Sequence, residues 1–347
     1  MEFKVNGLIF TKEDLKQVSL SSLEEGTISS SHFFILTPRS AFLILSAGDI
    51  IGSDFIEKYQ QRGLESFFTL DVFSGNCIDR YENSFSELLS ARDEISRHLC
   101  AQSIVKDFMK DFWNKSDESI LAFVKVCFEK FYFLETDSIL RMNEQSLVLY
   151  SRGLLASSFG IINCLINRIV DPYFLKDLYN ATLMMDYGLL SDSELSFSVI
   201  KACEREREIP NSGIEYLDQN NRPYSEKEIF LNHPKLSAKF LETYKILFYN
   251  NEVIDTILFH HENSDGSGFP FKVPYSAMTD METFITFSDQ CIPFEEHIFS
   301  KGDGESVLRK AFNTLKRASH DLPIKKVMGN FESAAIWAEK EFKKEVA

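Results

Sequence analysis

Two adjacent histidines close an apolar helical stripe, and no other feature restricts what this 347-residue chain can fold into as strongly. Within Asn251–His261, the residues Ile254, Ile257, Leu258 and His261 fall at i, i+3, i+4 and i+7. That is the buried face of a helix, with Asn251 as its cap. Val253, Ile257 and His260 form the adjoining stripe. Both imidazoles are therefore directed inward at one helix end. A buried imidazole needs a hydrogen-bond partner, and two side by side need something stronger. A shared metal ion is one solution, and separate structural hydrogen bonds are the other. The residues that follow, Glu262-Asn263-Ser264-Asp265-Gly266-Ser267-Gly268-Phe269-Pro270, form a glycine-rich turn that can frame an opening.

Carboxylates fall at matching places. Met281, Phe284, Ile285, Ser288 and Asp289 make one stripe, which turns Asp289 inward near a helix end. Asp171-Pro172 opens another helix, whose apolar positions Phe174, Leu178, Ala181 and Met185 step by four, three and four. Asp186 follows in its last turn, and Gly188 is expected to stop it. Together with His233 these residues make a donor set suited to iron, manganese or zinc. The remaining histidines, His32, His98, His297 and His320, are isolated and read as surface or core residues.

The organisation is mainly α. Phe33–Leu36 and Ala41–Leu45 flank Thr37-Pro38-Arg39-Ser40 in a strand, turn, strand pattern. Ser53 is expected to cap a helix ended by Gly63, and Phe67, Phe68 and Leu70 offer another strand. A small α+β module over residues 1–75 follows, then connecting helices over 76–140, then a helical domain over 141–347. From about Ser84 the period is helical, with Ser116 capping a helix that carries Leu121, Val124, Phe128 and Phe131. Ser225 and Glu228 form a capping-box pattern before a helix that His233-Pro234 should break.

Composition excludes several classes. The 37 basic residues against 52 acidic ones leave a formal charge of −15, which repels phosphate backbones and argues against a DNA or RNA polymer as partner. Between Arg152 and Arg168 lie fifteen uncharged residues, short of the roughly 20 that a membrane span needs. The start carries no basic and apolar leader pattern, and the six cysteines are scattered without a CxxC. A cytoplasmic chain with free thiols is the expectation.

The run His260-His261-Glu262-Asn263-Ser264-Asp265-Gly266-Ser267-Gly268-Phe269-Pro270 resembles the HHExxDGxGYP signature of HD-GYP domains, matching seven of its eight fixed positions. These are helical, metal-dependent phosphodiesterases of the HD superfamily that hydrolyse cyclic-di-GMP. His233-Pro234 with Ser237 is similar to the family's HPxxG, Asp289 to its late ligand aspartate, and Leu183–Leu189 to its LLHDIGK. The resemblance spans about residues 140–340 and implies an HD-superfamily helical bundle for the C-terminal part.

Departures from the family pattern bear on function. Met185 replaces the HD histidine, Leu189 the phosphate-facing lysine, and Phe269 the tyrosine. The family's further ligand histidine, some 30 residues upstream, has no counterpart, since no histidine lies between His98 and His233. The arginine expected shortly before the last aspartate is missing, and an acidic insertion lies around Glu206–Ser225. In the family, one metal takes the upstream histidine, the HD histidine and the late aspartate, with the HD aspartate bridging. Here that site keeps only Asp186 and Asp289. The second metal takes the bridging aspartate and three histidines, and Asp186, His233, His260 and His261 are all present. The resemblance thus implies at most one tightly bound divalent ion (iron, manganese or zinc).

Three readings follow. The first is a pseudoenzyme of bacterial cyclic-di-GMP signalling that binds cyclic-di-GMP or a protein of that network, such as a diguanylate cyclase. The second is a phosphodiesterase with a reduced metal site, in which Asp186 and Asp289 would be catalytic. The third is a helical interaction protein whose histidines serve structure alone. Met185 reads as core packing, and Glu262 either as a solvated helix-end charge or as a partner orienting a histidine.

Overall fold

The computed structural model describes residues 2–72, 75–113, 117–191, 224–263 and 265–292, with 329–331, 333–334, 336–337 and 340. The chain is mainly α, with a small α+β module at its N-terminus. Strands β1 (Glu2–Val5) and β2 (Leu8–Thr11) form a hairpin. A four-stranded sheet is built from β3 (Lys16–Ser19), β4 (Ser31–Leu36), β5 (Ala41–Leu45) and β6 (Ser66–Asp71), in the order β3-β6-β4-β5. Alternation along the strands sends Phe33 and Phe67 to one face and Phe34 and Phe68 to the other. The first pair packs on Tyr59 of α1 (Ser53–Gln61), and the second on Phe3 and Phe10 of the hairpin.

The anticipated β4–β5 turn is present, with Thr37 N–H donating to the Ser40 carbonyl. Gly63, at φ +71°, ends α1 as expected. The cap of α1 is Gly52, however, and Ser53 is already helical, so its hydroxyl makes no capping bond.

Helices α2 (Gly75–Ser90), α3 (Glu94–Trp113), α4 (Asp117–Phe131) and α5 (Thr136–Gln145) lead into α6 (Leu147–Ile166), the central helix. α2 begins well before Ser84. The N-terminal module is tied to these helices. Tyr150 donates to the Gly48 carbonyl at 2.8 Å, Lys125 donates to the Ile28 carbonyl at 2.8 Å, and Ile28 and Ile50 join the helical core.

α6 is apolar enough by length and composition to cross a membrane, yet 94% of that window is buried in protein. A helix apolar all round belongs in a core, and α3, α4, α5 and α7 (Pro172–Leu183) pack around it. Asp171 caps α7 by accepting from Phe174 N–H at 2.8 Å, with Pro172 where an amide would lack a partner.

Two expectations about helix ends are corrected. α7 stops at Leu183, and a turn through Met184–Asp186 leads to a 3₁₀ segment over Tyr187–Ser191. Gly188 is therefore no stop signal. Second, α8 (Tyr224–Glu242) continues through Pro234 instead of breaking there. Ser116, the side chains of 224–228 and the insertion as far as residue 223 lie outside the described residues.

α6 and α7 approach closely at Gly153, where an added Cβ would sit 2.7 Å from the Leu183 carbonyl oxygen. Gly153→Ala should push these helices apart and lower the unfolding free energy by about 1–3 kcal/mol, as overpacking does. A reduced midpoint in urea unfolding checks this.

Candidate metal centre

His233 sits in the middle of α8 because of the proline after it. Pro234 has no N–H, so the Phe230 carbonyl loses its helical partner. His233 Nδ1–H donates to that carbonyl at 2.5 Å, which satisfies the orphan acceptor and locks the ring. The Asn251–His261 stretch is helical but tightens along its length, from α9 (Glu252–Thr256) to a 3₁₀ turn over Ile257–Phe259. Asn251 makes no capping bond. The carboxylate of Asp177 instead accepts from the N–H groups of Tyr249 and Asn250. The inward direction of both imidazoles survives, since His260 and His261 are fully buried. His260 Nδ1–H donates to the Ile257 carbonyl at 2.5 Å.

These carbonyls decide the protonation pattern. A carbonyl only accepts, so each Nδ1 is the donor, and each neutral ring presents a bare lone pair at Nε2. Yet His233 Nε2 and His260 Nε2 lie 3.0 Å apart, and His261 Nε2 lies 3.2 Å from His233 Nε2. Asp186 Oδ1 is 3.3 Å from His233 Nε2 and 3.5 Å from His260 Nε2, and it has no hydrogen-bond partner. The bare Nε2 atoms of His233 and His260 and the Asp186 oxygen face one another as acceptors, which is repulsive unless a cation stands between them.

All four ligand atoms lie within 4.8 Å of one another, and all four residues are buried. Arms of about 2.0–2.1 Å, as zinc makes, give tetrahedral edges of about 3.4 Å, close to the four distances above. The cluster fits a divalent metal. Burial holds the His233 pKa below the ordinary imidazole range, against the opposing pull of Asp186, so the ring is neutral near pH 7 and free to ligate.

Asp289 is placed differently from the expected metal ligand. It lies on α10 (Asp280–Cys291), on the inward stripe with Phe284, Ile285 and Ser288, but outside the four-residue cluster. Its Oδ2 is 3.7 Å from His261 Nδ1, and its Oδ1 accepts from Arg152 Nη2. Arg152, fully buried on α6, is the residue the sequence reading missed. Its Nη1 donates to Asp186 Oδ2, its Nη2 also donates to the Asp289 backbone carbonyl at 3.1 Å, and its Nε donates to the Ile292 carbonyl at 2.9 Å. Burial opposes charge on Asp186, but the Arg152 guanidinium outweighs it and holds the carboxyl well below its usual range. One guanidinium faces two carboxylates, so one negative charge is left in the interior for a further cation to balance.

Glu262 is neither a solvated helix-end charge nor a histidine orienter. It is fully buried, Oε1 accepting from the N–H groups of Phe271 at 2.7 Å and Lys272 at 3.1 Å, and Oε2 from Val273 at 2.8 Å. It folds the glycine-rich loop back onto the histidine pair. Gly268 permits this, since a Cβ there would lie 2.5 Å from Glu262 Cα, and Phe269 stacks on His261 with centroids 4.6 Å apart. Met185 and Leu189 are core residues, and Tyr187 stacks on Phe240. Gly188 allows the 3₁₀ segment to meet α8: a Cβ there would lie 2.5 Å from the His233 carbonyl. Its N–H donates to Ser237 Oγ at 2.8 Å.

A mainly α chain with a buried Asp–His₃ cluster, two of its histidines adjacent and followed by a glycine-rich turn, is similar to the HD-GYP class. A solved structure that it resembles is Bd1817, a HDG"Y"P protein from Bdellovibrio bacteriovorus, at 16% identity and a TM-score of 0.38, over 92% of this chain and 100% of that one. No family model matches the chain, and no curated protein matches it.

Glu262→Gln removes a charge that three backbone amides share. Stability should fall by about 1.5–3 kcal/mol, the range for hydrogen bonds to charged groups. Hydrogen exchange at residues 271–273 should accelerate, which mass spectrometry of the loop peptide would read.

Proposed function

We propose that this chain is a degenerate HD-GYP-like protein of bacterial cyclic-di-GMP signalling that works by binding. Its centre takes one divalent ion (iron, manganese or zinc). Its partner is cyclic-di-GMP or a protein of that network such as a diguanylate cyclase, and hydrolysis is weak or absent. One observation carries this reading: ligand atoms of Asp186, His233, His260 and His261 converge within 4.8 Å of one another, while Met185 and Leu189, which replace the reactive residues of the family pattern, are apolar and buried.

An ion in this cluster supplies Lewis acidity toward an anionic oxygen. The chain's own residues do the rest. His233 and His260 are held as Nε2 donors by the carbonyls of Phe230 and Ile257. The Glu262 carboxylate keeps the loop closed over them. No residue at position 189 offers charge to a phosphate, because Leu189 is in the core. A single lost electrostatic donor lowers turnover by about 2.7–4 kcal/mol of transition-state stabilisation, or about a hundred- to a thousand-fold. Loss of a second metal adds to that. Arg152 engages both Asp186 and Asp289, and of the two carboxylates it is Asp186 whose Oδ1 faces His233 and His260 and would serve in any residual hydrolysis.

Residues 1–75 are proposed as a sensory or docking module and 76–140 as connecting helices, with residues 141–347 as the HD-GYP-like domain. The acidic surface disfavours a nucleic-acid polymer, and a cytoplasmic setting accords with unpaired thiols at Cys77, Cys100, Cys127, Cys164 and Cys291.

Elemental analysis of the purified chain should find one transition metal per molecule. His260→Ala should lose it, and adding metal should raise the melting temperature of the wild type but not of the variant. Calorimetric titration with cyclic-di-GMP should show binding without turnover. A metal-free protein whose melting is indifferent to added metal would reject the metal reading. Turnover matching an active two-metal phosphodiesterase would reject the binding role.

A further inference from the structure

Arg152 lies 34 positions before Asp186, near the spacing at which the resemblance places a ligand histidine. It also meets the two carboxylates, Asp186 and Asp289, that remain of the stripped site. Asp186 is divided between two neighbourhoods. Its Oδ1 faces His233 and His260, and its Oδ2 accepts from the guanidinium. A carboxylate that the resemblance would place between two metals here lies between the histidine cluster and an arginine.

We propose that the Arg152 guanidinium is the resident cation of the second position, so that the centre is a one-metal centre by construction. This rests on the metal reading above for the first ion but concerns a different position. Three observations support it. Arg152 is fully buried, so it does not reach toward solvent for an incoming anion. Its Nε, Nη1 and Nη2 atoms make four hydrogen bonds, to the two carboxylates and to the backbone carbonyls of Asp289 and Ile292, so all three nitrogens are engaged. Met185, which stands for the missing HD histidine, is a buried core residue and supplies no imidazole ligand at this position.

The consequences are chemical. A guanidinium stays protonated at any pH a protein survives, so this cation does not dissociate. It has no open coordination position and cannot take a water as ligand. It pairs with both acids, offsets one of their two charges and fixes their geometry without the Lewis acidity of a second metal. Arg152 is thus a positioning residue for Asp186 and not a substrate-binding one.

The test compares metal stoichiometry in the full-length protein. Wild type and an Arg152→His/Met185→His double variant are loaded with manganese, desalted and analysed for metal, with a cooperative thermal melt confirming that each is folded. The double variant should hold one more ion per chain than the wild type, and Arg152→Lys, which keeps a fixed positive charge, should match the wild type. A folded double variant with no gain would overturn the proposal. A gain of one from a wild-type baseline of zero would uphold the substitution by Arg152 while rejecting the first metal site, so the two readings fail separately. Should the double variant not fold, electron paramagnetic resonance of the manganese-loaded wild type decides. The spectrum of an isolated ion supports the proposal, and that of an exchange-coupled pair overturns it.

Discussion

The Asp186 carboxylate is the interaction on which the centre depends, because its two oxygens answer to different partners. One is paired with a buried guanidinium, and the other faces two imidazole nitrogens that carry no proton. Buried charges are tolerated only when they are paired and hydrogen-bonded. Arg152 meets that condition with two carboxylates and two backbone carbonyls, which joins α6, the turn after α7 and the end of α10 at one point. The position of Asp186 is therefore over-determined before any ion arrives, and the ligand cluster inherits that rigidity. Preorganised donors bind with less loss of conformational freedom than donors that must be gathered.

Backbone chemistry supplies the rest of the geometry. Each histidine of the 233/260 pair is fixed by a carbonyl that local structure leaves available, in one case through a proline and in the other at a 3₁₀ turn. Glycines then let the pieces touch. Gly188 admits the His233 carbonyl, and Gly268 admits the Glu262 backbone. Such positions read as punctuation in a sequence, but their use here is close approach, which is why the expectations that Pro234 breaks α8 and that Gly188 stops α7 both failed.

The histidine pair was legible because an apolar stripe at helical spacing fixes direction, and the direction of His260 and His261 persists even where the helix tightens. The strand, turn, strand pattern around Pro38 was legible for the same reason, as two apolar runs with a strong turn between them. β1, β2 and β3 are short and half-exposed, so their side chains carry little periodic signal. Arg152 escaped because pattern reading treats a charge as the edge of an apolar run. Its signal was present nonetheless. It is the one charged side chain in Leu147–Ile166, a mostly apolar helix with no counter-charge of its own. A lone charge in an apolar helix predicts a buried counter-charge. The two aspartates already assigned to inward faces were the candidates.

That pairing also bears on what kind of protein this is. Had mutation merely worn away one metal position, two carboxylates would remain in a low-dielectric interior without a partner, a state costing several kcal/mol per ion. Such a chain would protonate them, admit solvent or lose the fold. An arginine that meets both carboxylates lowers that penalty and leaves the facing cluster of three imidazoles and one oxygen in place. On the proposed one-metal reading, the stability of the core and the weakness of any hydrolysis would follow from the same side chain, and weak turnover would not imply decay of the site.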